Sequence, residues 1–197
     1  MSEARVVFAA GGVLETAFLP YRLLNLQVDY GLRLRVAASP SALEFATRTA
    51  LHAVTGAEVY HQNSQFDRDG LPLHLALKDT PLLVLYPATA RILAQCATGV
   101  VSCPVTRLFA FVPKERVLVA PALHPEMDLR LYRDHARRLA ELGCEVLGLG
   151  AEGAAELAPT WRELSERVAA RMGATRLVPR PEQVLLERLF RPQGPAE

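Results

Sequence analysis

Apolar residues along this chain arrive in two rhythms. Short unbroken runs at Arg5–Ala10, Leu32–Ala38, Leu82–Tyr86, Val117–Ala120 and Cys144–Leu149 have the length and branched content of buried strands. Between them, apolar residues recur at helical spacings of three and four, as in Leu19, Leu23, Leu26 and Tyr30. The same spacing joins Leu43, Ala46, Ala50 and Val54 into one helix ending at Gly56, and Leu131, His135, Leu139 and Leu142 into another over Asp128–Leu142. Further helices are expected over 89–98, 104–111, 159–172 and 181–190, with a short one opened by His74. Residues 57–73 lack periodicity and read as loop. Alternation of this kind predicts an α/β fold: a single Rossmann-like domain with a parallel sheet of about five or six strands and helices on both faces. The domain is expected to span residues 1–190, with 191–197 as a frayed tail.

In such sheets ligands bind at the carboxyl ends of the strands, so the turns there carry the functional signal. The first strand runs into Gly11-Gly12 and then a helix, which is either an anion site at a helix N-terminus or a plain tight turn. The second ends at Ser39-Pro40-Ser41, where either serine could cap the next helix, donate to a bound phosphate, or do both. The third and fourth end in proline turns, Pro87-Ala88-Thr89-Ala90 and Pro121-Ala122-Leu123-His124. His74 and His124 therefore fall near one candidate site. A histidine such as His74 is either a structural side chain or a base, since its pKa lies close to working pH.

Composition narrows the picture without redirecting it. The chain has 197 residues, half of them hydrophobic, and a net charge of +1. That length buries a full core, and that charge provides no field for nucleic acid or an anionic membrane. No apolar run reaches the roughly 18 residues of a membrane span, and the N-terminus opens directly into a strand without a signal peptide. Cys96, Cys103 and Cys144 are odd in number and lack CxxC spacing, which indicates neither a disulfide framework nor a zinc site. A cytoplasmic location is expected.

Several segments together resemble a known family. Val117-Leu-Val-Ala-Pro-Ala-Leu-His-Pro-Glu-Met127 resembles the APAMNxxM signature of the homo-oligomeric flavin-containing cysteine decarboxylases. Pro87-Ala-Thr-Ala-Arg91 resembles their PASAN or PATAN turn, and His74 stands at the spacing of their catalytic histidine. Gly11-Gly12-Val13 falls where the family has Gly-Ser-Ile, and Ser39-Pro-Ser-Ala-Leu-Glu-Phe45 resembles its TxSAxxF segment. The match covers about residues 5–150. The family includes phosphopantothenoylcysteine decarboxylases and the peptidyl-cysteine decarboxylases of lanthipeptide biosynthesis.

The resemblance implies FMN bound between subunits of a trimer, often within a dodecamer. It implies cofactor contacts from Gly11, Gly12, Val13, Ser39, Ser41, Phe45, Pro87, Ala88, Thr89, Ala90 and Arg91, with His74 as catalytic base. His124 and Met127 take the substrate-binding positions. The implied reaction oxidises a C-terminal cysteine to a thioaldehyde, whose C=S group is the electron sink that lets CO2 leave and yields an enethiol. Three departures qualify the pattern. Arg91 and His124 replace asparagines, and Ala97-Thr-Gly-Val-Val-Ser-Cys-Pro104 lacks the acidic pair of the usual ANGIADDL. Residues 150–180 also lack the cysteine-bearing clamp that reduces the enethiol in the pantothenoyl enzymes. A peptide substrate with a C-terminal cysteine is therefore expected. The alternatives are a flavin-binding relative that has lost decarboxylation and acts as a partner subunit, and, more distantly, a flavin prenyltransferase.

Overall fold

The computed structural model describes residues 5–63, 66, 70–124, 126–151 and 157–177. The expected helix over 181–190 and the tail from Arg191 lie outside these residues. Five strands, β1 (Val6–Ala10), β2 (Leu34–Ala38), β3 (Leu83–Ala88), β4 (Val117–Pro121) and β5 (Glu145–Val146), form one sheet in the order β2-β1-β3-β4-β5. Every pairing is parallel, beginning with Val6 opposite Leu34 and Val7 opposite Leu83. The order reverses direction beside β1, and a ligand crevice forms at such a switch point.

Nine helices among the described residues connect and cover the strands: α1 (Leu14–Ala17), α2 (Leu19–Tyr30), α3 (Ala42–Phe45), α4 (Arg48–Thr55), α5 (Leu73–Ala76), α6 (Ala90–Thr98), α7 (Pro104–Phe111), α8 (Arg130–Glu141) and α9 (Trp161–Arg171). One sheet face packs Val7, Leu83, Leu85 and Val119 against Leu93, Leu108 and Leu139. The other packs Val6, Phe8, Val84 and Leu118 against Leu23, Leu51, Leu164 and Val168. With both faces covered, the central strands have no solvent side, which explains their unbroken apolar runs. Each buried leucine adds about 1.5–3 kcal/mol. That outweighs a missing ladder bond, about 0.5–1.5 kcal/mol, where Pro87 supplies no N–H and the register shifts between Leu85 and Ala88.

Four expectations need correction. The single helix through Leu43–Val54 is two, because Ala46 takes an extended backbone and Thr47 caps a new helix by accepting the Ala50 N–H at 3.1 Å. The buried stripe of α8 is Ala136 and Leu139, with Leu129 and Tyr132 partly covered, while Leu131 is 64% exposed. A second apolar spacing on that helix faces the sheet, and the sheet's position selects it. The fifth strand is only Glu145–Val146, since the chain turns at Gly148 and Gly150, both at positive φ. Within the 57–73 loop, Tyr60 pairs with Ala37 and extends the sheet edge by one bridge.

Candidate functional site

Three loops converge at the carboxyl ends of β1, β2 and β3. The Gly11 N–H donates to the Pro87 carbonyl at 2.9 Å, and the Ser39 N–H donates to the Ala10 carbonyl at 3.0 Å. A Cβ on Gly12 would lie 2.4 Å from the Ser41 carbonyl carbon and oxygen. One on Gly11 would lie 2.7 Å from Thr89 Cγ2. Real side chains do not tolerate such approaches, so both glycines serve to let the loops touch. The Val13 N–H is taken up internally, donating to Thr16 Oγ1 at 3.1 Å, and that hydroxyl in turn donates to the Gly11 carbonyl at 2.7 Å.

The convergence leaves a cavity of about 240 Å³ lined by Ser39, Ser41, Glu44, Thr89, Arg91 and Cys103, among others. Ser39 is buried, and its Oγ accepts the Ala42 N–H at 3.2 Å while standing 3.2 Å from Ser41 Oγ. Ser39 thus holds the first N–H of α3 and also lines the cavity. Thr89 caps α6 by accepting the Ile92 N–H at 3.3 Å, and Arg91 stands exposed on the first turn of that helix. Phe45 lies exposed at the end of α3.

The two proline turns sit side by side. Ala88 pairs directly with Pro121, and the Ala122 N–H donates to the Ala88 carbonyl at 3.0 Å. Beyond them His124 is exposed, with Nδ1 accepting the Glu126 N–H at 3.2 Å and its carbonyl accepting the Met127 N–H at 3.0 Å. With Nδ1 accepting, Nε2 is the ring nitrogen left to donate. Met127 packs partly against the core.

His74 lies on α5, its ring centroid 4.7 Å from that of Phe111. Burial first, and the Arg107 charge second, lower its pKa below the ordinary histidine value. Both causes favour the neutral ring. Phe111 is the last residue of α7, and Cys103, the N-cap of that helix, lines the cavity. Those two ends are separated by about 12 Å of helix. Within one chain, then, the 11–13, 39–45 and 87–91 segments meet, whereas His74 stands at the other end of α7.

Sequence reasoning passed over Thr16 and Thr106. Both are buried and both hold a loop through their hydroxyls, Thr106 Oγ1 accepting the N–H groups of Ser102 and Cys103 at 3.0 and 3.1 Å. The available signal was a threonine three residues past each loop end. Also unforeseen is Arg22, which bonds the Tyr86 hydroxyl and lies 5.7 Å from the ring centroids of Phe18, Tyr86 and Trp161. Burial pushes the Tyr86 phenol up to about 12, so it stays protonated.

The flavoprotein family model matches residues 1–173, and the chain belongs to that family. No curated protein matches the sequence. Among solved structures, the chain is similar to the FMN-dependent cysteine decarboxylase TvaF of thioviridamide biosynthesis, with a TM-score of 0.68 and 22% identity over 87% of this chain and 99% of that one. A mutant PPC decarboxylase gives 0.72 and 21% over 87% and 99%. The FMN-binding protein AtHal3 gives 0.69 and 22% over 85% and 95%. Among the described residues no helix is long and apolar enough to cross a membrane.

Proposed function

We propose that the protein is an FMN-dependent peptidyl-cysteine decarboxylase, converting the C-terminal cysteine of a peptide to an enethiol during natural-product maturation in the cytoplasm. The observation that carries this reading is the side-by-side seating of the two proline turns, a hydroxyl-lined cavity beneath the first and an exposed histidine on the second. The solved relatives TvaF and the PPC decarboxylase support the reaction class.

The residues fit the phosphate of FMN: buried Ser39, half-buried Thr89 and exposed Ser41 offer hydroxyls and Arg91 a cation, while Glu44 is the one acid on the lining. The whole cofactor is too large. The cavity is about 240 Å³, below the roughly 300–1,000 Å³ of ordinary ligand sites. The ring system must rest on exposed apolar surface, and Leu14, Phe18 and Phe45 supply it beside the glycine turn. Phe111 is also exposed, while Phe109 is buried in the core. We infer a homo-oligomer, a trimer or a multiple such as a dodecamer, that completes the site between subunits. In it, His74 of one subunit serves the cavity of the next.

Bound FMN supplies the two-electron oxidation at the cysteine Cβ that gives the departing CO2 an electron sink. This chain's residues do the rest. His74 takes the thiol proton, His124 Nε2–H donates to the substrate, and Met127 backs the turn. The experiment is mass spectrometry of a cysteine-terminated peptide incubated with the pure yellow protein, where a loss of ~46 Da (CO2 plus two hydrogens) is expected. His74→Asn should retain flavin and lower turnover by ~10²–10⁴-fold. An FMN-loaded monomer in sedimentation would refute the shared site. Arg91 and His124, in place of asparagines, favour a second reading, a flavin-binding partner subunit without decarboxylase activity. An FMN-loaded oligomer that leaves every such peptide unchanged would establish it.

A further inference from the structure

A second group of chemistry-bearing side chains lies against α4. His61 follows Tyr60, whose backbone exchanges hydrogen bonds with Val36 and Ala38 at the sheet edge. It therefore stands at the same carboxyl-end rim as Ser39, and only 9% of it is exposed. Beside it is a cavity of about 500 Å³ lined by Arg48, Thr49, His52, Glu58 and His61, none of which lines the cofactor cavity.

The hydrogen bonding of His61 does not close. Arg48 Nη1 stands 3.2 Å from its Nε2, and the Asn63 N–H is aimed at its Nδ1 at 3.3 Å. A guanidinium and a backbone N–H can only donate, whereas a neutral imidazole accepts at one nitrogen alone. In either tautomer one ring N–H therefore meets another donor. Protonating the ring would set donors against both nitrogens, and burial together with the Arg48 charge already lowers its pKa. His52 is oriented alongside, its Nδ1 donating to the Ala57 carbonyl at 2.9 Å, which turns Nε2 into its remaining ring nitrogen.

We propose that Arg48 and His61 form a binding site for an oxyanion, a carboxylate or phosphate group entering from this cavity. An anionic oxygen that bridges Arg48 Nη1 and His61 Nε2–H from the cavity side accepts from both. Nδ1 then accepts from Asn63, and every donor around the ring is matched. The planar guanidinium suits either anion. Glu58, the acid lining the same cavity, opposes the ligand by charge and holds its affinity down.

The test is independent of the cofactor assignment. The purified protein, labelled with ¹⁵N-histidine, is titrated with inorganic phosphate and separately with acetate, at constant ionic strength with chloride as the reference ion. The ring nitrogens of His61 should shift saturably with at least one oxyanion and not with chloride. The apparent Kd should rise at least about tenfold in Arg48→Gln and fall severalfold in Glu58→Gln. A response to phosphate alone identifies a phosphoryl ligand, and a response to acetate extends the site to acidic peptides. The proposal is overturned if neither anion shifts His61, if chloride acts equally, or if folded Arg48→Gln binds as the parent does.

Discussion

The two proline turns begin alike and end differently. After β3, Pro87 leads within three residues into α6, and every step is tied: Gly11 N–H to the Pro87 carbonyl, Thr89 to the helix end, Ala88 to β4. After β4, the chain runs on from Pro121 to Arg130 before a helix begins, with Leu123 buried but His124 and Glu126 exposed. The first turn is part of the sheet's packing, and the second is a surface loop on a fixed stem. A single chain thus fixes its first proline turn fully and its second only partly. Rigid parts tolerate substitution poorly, and open ones change function more than stability.

The sharpest way to break this contrast is Gly12→Ala. Its Cβ would meet backbone of Ser41, which cannot retreat as a flexible side chain could. We expect a loss of about 1–3 kcal/mol in chemical denaturation, together with loss of bound FMN. Unchanged stability would show that the loops are not packed as described. Ser39→Ala comes next, removing both a cap and a cavity hydroxyl, and should weaken FMN retention by about 1–2 kcal/mol by equilibrium dialysis.

Arg91→Asn tests whether the first turn reaches the cofactor alone. A guanidinium clamped on the substrate carboxylate would stabilise the ground state, whose charge disappears as CO2 leaves, and so slow the reaction. We therefore expect Arg91→Asn to lower the flavin potential and weaken FMN binding, with KM little changed. A raised KM with a raised kcat would place Arg91 on the substrate instead. His124→Ala should do the reverse of Gly12→Ala: a stability change within about 0.5 kcal/mol, and a raised KM.

The smallest effect is on pH. His61 and His74 both have folded pKa values below the ordinary 6.5, so the unfolded chain binds more protons in the window just beneath that value. Stability should rise with pH through that window and level off above about 6.5. Thermal melts across the range check this, and His61→Asn should flatten the slope.

The sequence by itself determined where the main strands lie and the parallel class, because strands buried on both faces must be continuously apolar. It also marked the site's loops, since glycine pairs, serine–proline turns and proline ends are locally required where chains turn sharply. It could not determine which stripe of α8 or which residues of 42–55 face inward, since two apolar spacings coexist there and only the sheet's position chooses. Nor could it show that Gly11 and Gly12 press on Thr89 and Ser41, that His74 sits on Phe111, or that His61 meets two donors. Those are contacts between segments distant in the chain or between side chains and backbone. Local pattern carries no record of them until tertiary packing brings the groups together.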